Sequence, residues 1–345
     1  MRDELLRTLS NCNGAAGDEG AVRDLLRSRI EKHVDETGTN PMGNLHATAG
    51  GGSKGRVLLT AHMDEIALIV TGVDGNGLIS FQPVGGVVPA LMVGNDVIIG
   101  REKRIPGVIA YKSYHLMTSE ERKRTPPLKN LSIDIGASTR EEAGEVTPGD
   151  YVYFTSEYTR QGSCRFGKAF DDRAGCAAVV EILRGGARSE AGVTAVFTTQ
   201  EEVGLRGAST AAFGLEGVRF NLNMEATVCS DREVKDTYSP VTVLGGGPAI
   251  TVMDRTTVTH RGLLDFVRKV AESHGIPHQL KRAGVGGTDA GVIHLTGTGI
   301  PAVTVALPVR YIHSPWGIFL DRDFDNFLEL GRAVVREAHT FVAGG

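Results

Sequence analysis

Apolar residues near the start of the chain recur at helical spacing, first in ELLRTLSN and then, past a glycine-rich break, in EGAVRDLLRSRIEKHV, so a helix pair is predicted over 3–35. The run Val57–Thr60 (VLLT) has the length of a buried strand and delivers Ala61-His62-Met63-Asp64. From 64 to 162 the pattern changes. Short β-like runs (IALIVTGV, GLISFQPV, DVIIG, PGVIAY, LSIDIGA, DYVYF) alternate with Gly, Pro, Asp and Asn turns, and only Thr139–Ala143 reads as helical, which is how a small β-barrel or sandwich is written. After Gly167, strand-like runs at Val193–Gln200, Arg219–Met224 and Ile300–Leu307 alternate with helical patterns at Asp171–Arg184, Gly207–Phe213, Arg261–His274 and Phe324–Val342. Alternating strands and helices predict an α/β fold with a mostly parallel sheet flanked by helices. Residues 1–63 and 163–345 would form that domain, interrupted by a β-barrel insert over 64–162.

Composition narrows the function classes. The 345 residues carry 37 Lys and Arg against 41 Asp and Glu, a formal charge of −4, without the basic stripe that phosphate binding requires. The nearest candidate, Glu120–Arg124, alternates acids and bases as a solvated segment does, so nucleic acid is not an expected partner. No apolar run reaches the roughly 18–20 residues of a membrane-spanning helix, and the mixed charges of MRDELLRTLSN do not read as a signal peptide. Cys12, Cys164, Cys176 and Cys229 are widely separated and form no CxxC pair, as expected of reduced thiols in a cytoplasmic protein. Glycine is in excess, 45 of 345, with pairs at Gly85–Gly86 and Gly286–Gly287 that suggest tight turns or close backbone approach to a ligand.

Candidate chemistry gathers just past the ends of predicted strands. His62 and Asp64 follow VLLTA, Glu201 and Glu202 follow VTAVFTTQ, Glu225 follows FNLNM, and His313 follows VTVAL by a short stretch. Asp171 and Asp172 open a helix that could face the same edge. In open α/β sheets, ligands bind beyond the carboxyl ends of strands. Each residue alone has an ordinary structural alternative: a hydrogen-bonded core histidine, a favourable charge at a helix start, an N-cap aspartate. Their joint occurrence carries the argument. Two histidines and three carboxylates without cysteine suit catalytic Zn, Co or Mn rather than structural zinc. A carboxylate shared by two cations would set up a two-metal hydrolase with a hydroxide between the metals, and a carboxylate outside the ligand set would move the proton.

HMD at 62–64, FDDRAGC at 170–176, QEEVGLRGA at 200–208, GGTDAG at 286–291 and RYIHSP at 310–315 together resemble the M42 family of metallo-aminopeptidases, which includes the tetrahedral and glutamyl aminopeptidases. The resemblance implies two divalent metal ions, Zn or Co. Asp171 would bridge them, His62 and Glu225 would complete one site, and Glu202 and His313 the other. It further implies Glu201 as general base and acid, and Asp64 as the group orienting His62, with Asp172 either contacting substrate or only capping the helix. Short peptides would be the substrates. The insert would be a dimerisation domain, with dimers assembling into a tetrahedral dodecamer. Two departures stand out: Asn223-Met224-Glu225 lies where many members carry an Asp ligand, and WGIF follows HSP in place of an acidic continuation. Alternatives on the same residues are an N-acyl deacylase on the dimetal scaffold, an endoglucanase, which would leave both histidines idle, and a non-catalytic assembly paralogue. The Gly286–Gly287 loop either approaches substrate or only turns the chain, and Arg255, Arg282 and Arg310 either favour acidic side chains or are surface residues.

Overall fold

A computed structural model describes residues 2–51, 53–185, 190–232 and 240–342. An eight-stranded sheet runs in the order Glu36–Thr39, Leu45–Ala49, Gly192–Thr198, Arg56–His62, Val218–Val228, Ala302–Val309, Ala249–Thr251, Gln279–Lys281. Its four central strands are mutually parallel, with antiparallel pairings only toward the edges. The expected mostly parallel α/β sheet is therefore present. The central strands are buried along nearly their whole length, as strands covered on both faces must be.

Alternation along these strands divides the two faces. Leu59, Leu222, Val303 and Val305 pack with Phe170–Arg184, Arg261–Ser273 and Asp321–Glu337 into the main core. Leu58 and Val196 face the short helix Ala208–Ala211 and Ile293 in a smaller cluster. Each fully buried aliphatic side chain in these layers contributes about 1.5–3 kcal/mol relative to exposure.

The insert is a closed barrel of six antiparallel-paired strands, from Ala67–Val73 to Tyr151–Phe154, with its own apolar centre around Leu68, Ile79, Val97, Ile133 and Val152. Closure removes the open edges that its short strands would otherwise expose. The strand Thr159–Gln161, although before residue 162, pairs with Cys164–Gly167, which in turn pairs with Gly317–Leu320.

Three expectations shift. The strand expected to end at Met224 continues to Val228, because pairing with Ala302–Val309 carries on past Glu225, so Glu225 lies within a strand. Asp171 and Asp172 open the helix Phe170–Arg184 with non-helical backbone angles. The C-terminal helix spans Asp321–Glu337, with a short 3₁₀ turn at Ala338–Thr340, rather than 324–342.

Candidate metal centre

Register places the donors at one level. Asn223 pairs with Thr60, so Glu225, two residues on and on the same face, stands beside His62, two residues beyond Thr60. Thr198, which ends the neighbouring strand, lies opposite His62 and leads directly into Glu201 and Glu202. On this face, beside the apolar Leu58 and Val196, the strands carry a buried polar layer. Asn221 Nδ2 donates to Thr60 Oγ1 (2.9 Å), Thr60 Oγ1 donates to Asn223 Oδ1 (2.7 Å), and Asn223 Nδ2 donates to Glu225 Oε2 (3.3 Å).

Asp171 occupies the middle of the constellation. Its Oδ1 is 3.0 Å from His62 Nε2, and its Oδ2 is 3.4 Å from His313 Nε2. Glu225 Oε1 lies 3.3 Å from His62 Nε2, Glu202 Oε2 lies 3.7 Å from His313 Nε2, and Glu201 Oε2 lies 4.0 Å from His62 Nε2. The donor atoms fall into groups compact enough for one cation each: His62, Glu201 and Glu225 in one, Asp171, Glu202 and His313 in another, and Asp171, Asp172 and Glu225 in a third. Asp171, Glu201, Glu202, Glu225 and His313 line a cleft of about 440 Å³, together with Val228, Lys281, Gly286 and Ile312.

Supporting contacts fix the donors. The Asp64 carboxylate accepts the main-chain N–H groups of Glu201 and Glu202, both at 3.0 Å. His62 Nδ1 sits 3.1 Å from the main-chain oxygen of Asp64 and 3.6 Å from its carboxylate, so the backbone carbonyl is the nearer orienting partner of the ring. Asp172 accepts from the main-chain N–H of His62 (3.2 Å) and of Gly175 (2.9 Å), tying the helix start to the strand end. Asn44 Oδ1 accepts from Thr199 N and its Nδ2 donates to Gly207 O, holding the two ends of the Glu201–Glu202 loop.

Sequence reasoning missed two supports. Gly86, in the barrel insert, offers its carbonyl to His313 Nδ1 (3.1 Å), and a Cβ there would stand 2.6 Å from that nitrogen. The Gly85–Gly86 pair was the visible sign of such an approach. Arg173, fully buried, donates to the carbonyls of Leu9, Cys12, Met63 and Gly14, with Glu65 Oε1 at 3.5 Å. Of the arginines considered for acidic side chains, Arg310 is held by both oxygens of Asp231 at 2.6 Å, while Arg255 and Arg282 are exposed.

Electrostatics test whether cations fit. Five carboxylates (Asp171, Asp172, Glu201, Glu202, Glu225) converge, and among the described residues no Lys or Arg forms an ion pair with any of them. Burial, reinforced by neighbouring carboxylates, pushes the pKa of Glu201 and Asp172 well above the usual range, raises Glu225 and lifts Glu202 to about 7. Burial opposes ionisation of Asp171 too, but the two imidazoles beside it hold its pKa low. His62 is raised well above 6.5 by Glu225 and Glu201 despite its burial, and His313 is raised to about 9 by its contact with Asp171. So many buried anions need compensating positive charge. An oxygen- and imidazole-rich set of this kind fits divalent cations of the Zn or Co type.

A family model described as M42 glutamyl aminopeptidase matches residues 43–330. A lysyl aminopeptidase of Pyrococcus furiosus is 31% identical, the match covering 97% of this chain and 96% of the relative. Among solved structures, an aminopeptidase from the archaeon Desulfurococcus kamchatkensis superposes with a TM-score of 0.92 at 33% identity, covering 97% of this chain and 94% of that one. The Pyrococcus horikoshii TET1 peptidase, described as able to assemble into a tetrahedron or a large octahedral shell, gives 0.86 at 30% identity, covering 98% and 100%. The sheet, the inserted barrel and the matched length agree with the motifs, and the chain belongs to the M42 family of aminopeptidases.

Proposed function

We propose that this protein is a dinuclear metal-dependent aminopeptidase that releases N-terminal residues from short peptides, with Glu201 as general base. The observation that carries this reading is the Asp171 carboxylate, whose two oxygens each face a different imidazole, as a ligand shared by two cations requires. His62 and Glu225 would hold one cation, Glu202 and His313 the other, with Asp171 common to both. Two Zn or Co ions bound there supply Lewis acidity toward a peptide carbonyl and acidify a water molecule.

The chain's own part is proton transfer and orientation. Glu201 Oε2 takes a proton from the attacking water, and the new C–O bond forms at the peptide carbonyl carbon. When the C–N bond breaks, the same carboxyl delivers the proton to the departing amine, so it starts and ends ionised. Its raised pKa suits both halves of this cycle. Asp64 keeps Glu201 and Glu202 in place through their N–H groups.

The barrel insert over 64–162 would serve as a dimerisation domain within a homo-oligomer, by analogy with the shell-forming TET1 peptidase. Four free cysteines fit a cytoplasmic setting, and among the described residues no helix is long and apolar enough to cross a membrane.

Aminoacyl-anilides test the reading, with sizing of the same preparation by light scattering. Hydrolysis should be abolished by a chelator and restored by Zn²⁺ or Co²⁺. Glu201→Gln should retain bound metal yet lose about 10²–10⁴-fold in kcat. Cleavage of N-acylated peptides with free-amine peptides left intact would instead identify a deacylase. Activity on a β-glucan that survives chelation would point to a glycosidase.

A further inference from the structure

Four consecutive main-chain N–H groups, those of Thr199, Gln200, Glu201 and Glu202, each donate to a side chain from a distant part of the sequence. Asn44 holds the first and Asp64 the last two. Glu19 holds the second: its Oε1 accepts from Gln200 N at 3.0 Å and from Gly17 N at 2.9 Å. Gln200 has a left-handed φ of 55°, which a residue with a side chain keeps only when its surroundings enforce it. The N–H groups of Gln200 and Glu201 set the two peptide planes that flank it, so Glu19 and Asp64 together hold that conformation. Without Glu19 it can relax, and the placement of Glu201 then rests on Asp64 alone.

An acid at a helix start ordinarily caps the helix or faces its dipole. Glu19 precedes the helix Gly20–Ile30, yet its side chain makes no cap hydrogen bond and turns instead to a loop 181 residues away. It is only 5% exposed and has no Lys or Arg ion pair among the described residues. Burial, reinforced by Asp64, raises its pKa. A carboxyl group buried in this way is a costly means of filling space, and its bond to Gln200 is what an apolar side chain could not supply.

The segment that carries Glu19 is itself anchored. Gly14 O accepts from Glu65 N (3.0 Å) and Ala16 O accepts from Tyr151 Oη (2.9 Å), while Asp18 is held by the Tyr153 hydroxyl and by Arg101 (3.2 Å). Tyr151, Tyr153 and Arg101 belong to the barrel insert, so Glu19 reaches Gln200 from a fixed base.

We propose that Glu19 is a positioning residue for Glu201: its carboxylate pins the Gln200 N–H and so keeps the general base where it can reach the attacking water. The proposal rests on the reading of Glu201 as general base. Glu19 acts by its reach and not by its charge.

The metal-loaded full-length protein should be assayed on whichever of Leu-, Lys- and Glu-p-nitroanilide wild type turns over fastest, with bound metal measured on each variant. Glu19→Asp keeps the charge but falls short of Gln200, and should lower kcat about 10–100-fold while KM and metal content stay as in wild type. Glu19→Gln keeps an acceptor at full reach and should remain within about threefold of wild type. In a Glu201→Gln background, Glu19→Asp should cost nothing further, because the group it places is already gone. Wild-type kcat in Glu19→Asp, a Glu19→Gln variant as impaired as Glu19→Asp, loss of bound metal, or an equal loss in the Glu201→Gln background each overturns the proposal and leaves the general-base reading intact. Undiminished kcat in Glu201→Gln itself overturns both.

Discussion

At the scale of single residues, the candidate centre depends on contacts from groups that are not donors themselves. Gly86 is the clearest case, because its carbonyl orients His313 and its missing side chain leaves room for the ring. His313 itself adopts a positive φ of 59°, as do Gln200 before Glu201 and Ala169 shortly before Asp171. Three turns that present donors thus use backbone conformations that side-chain-bearing residues seldom adopt, a pattern common at functional sites. Gly86→Ala should displace the imidazole and weaken metal affinity by about 10–100-fold. Titration calorimetry on chelator-stripped protein would read this directly, and unchanged affinity would show that the ring does not need the glycine.

Secondary-structure elements give each donor its direction. The helix Phe170–Arg184 carries Asp171 in its first turn and anchors itself through Arg173 to carbonyls of the N-terminal helix region and of the strand exit at Met63. Arg173→Met keeps most of the volume but removes a donor from four carbonyls, of which those of Leu9 and Gly14 keep a main-chain donor, and leaves Lys168 (2.9 Å) as the ion-pair partner of Glu65. Such a loss should cost about 3–5 kcal/mol in stability, measurable as a lowered denaturant midpoint. A change below about 1 kcal/mol would mean that water replaces the guanidinium.

Much of this level was legible in advance. The helices Arg261–Ser273 and Phe170–Arg184 and the short strands of the barrel announced themselves by periodicity and by turn residues. The three-residue strands Ala249–Thr251 and Gln279–Lys281 were not legible, being too short for any period to show. Strand exits pointed to side chains that converge around Asp171. Arg173 stayed hidden and Gly86 showed only as one of a glycine pair, because each acts on residues far away in sequence, a relation that local spacing does not encode. Asn221 and Asn223 stayed unread for another reason: they alternate with Leu222 and Met224 within one strand, and only its pairing with Arg56–His62 shows that they form the polar layer leading to Glu225.

For the molecule as a whole, the concentration of buried acids sets how stability responds to pH. In protein stripped of metal, Glu202 and Asp289 titrate near 7 and His313 near 9, all above their ordinary values, chiefly through burial for the acids and contact with Asp171 for the histidine. The folded form therefore binds more protons than the unfolded chain across this range, and stability must fall as pH rises through it. The carboxyl contributions are complete below about 4.5 and fade toward 7, while that of His313 is complete below about 6.5 and fades toward 9. The thermal midpoint of metal-free protein should thus be lower at about pH 9 than at about pH 6. Zn²⁺ or Co²⁺, which binds the deprotonated ligands, should close or invert that gap. A midpoint that rises with pH in the chelated protein would contradict this balance.

The polar layer on the central strands also restricts how the sheet can assemble. If the Val218–Val228 strand slid by one position against its neighbours, Leu222 and Met224 would turn beneath the metal centre, and two asparagine amides would be driven into the oily interior opposite. A uniformly aliphatic strand would tolerate that slip at little expense. In this protein the side chains that prop up the donors also act as alignment pins, so a misthreaded sheet is penalised long before any cation arrives.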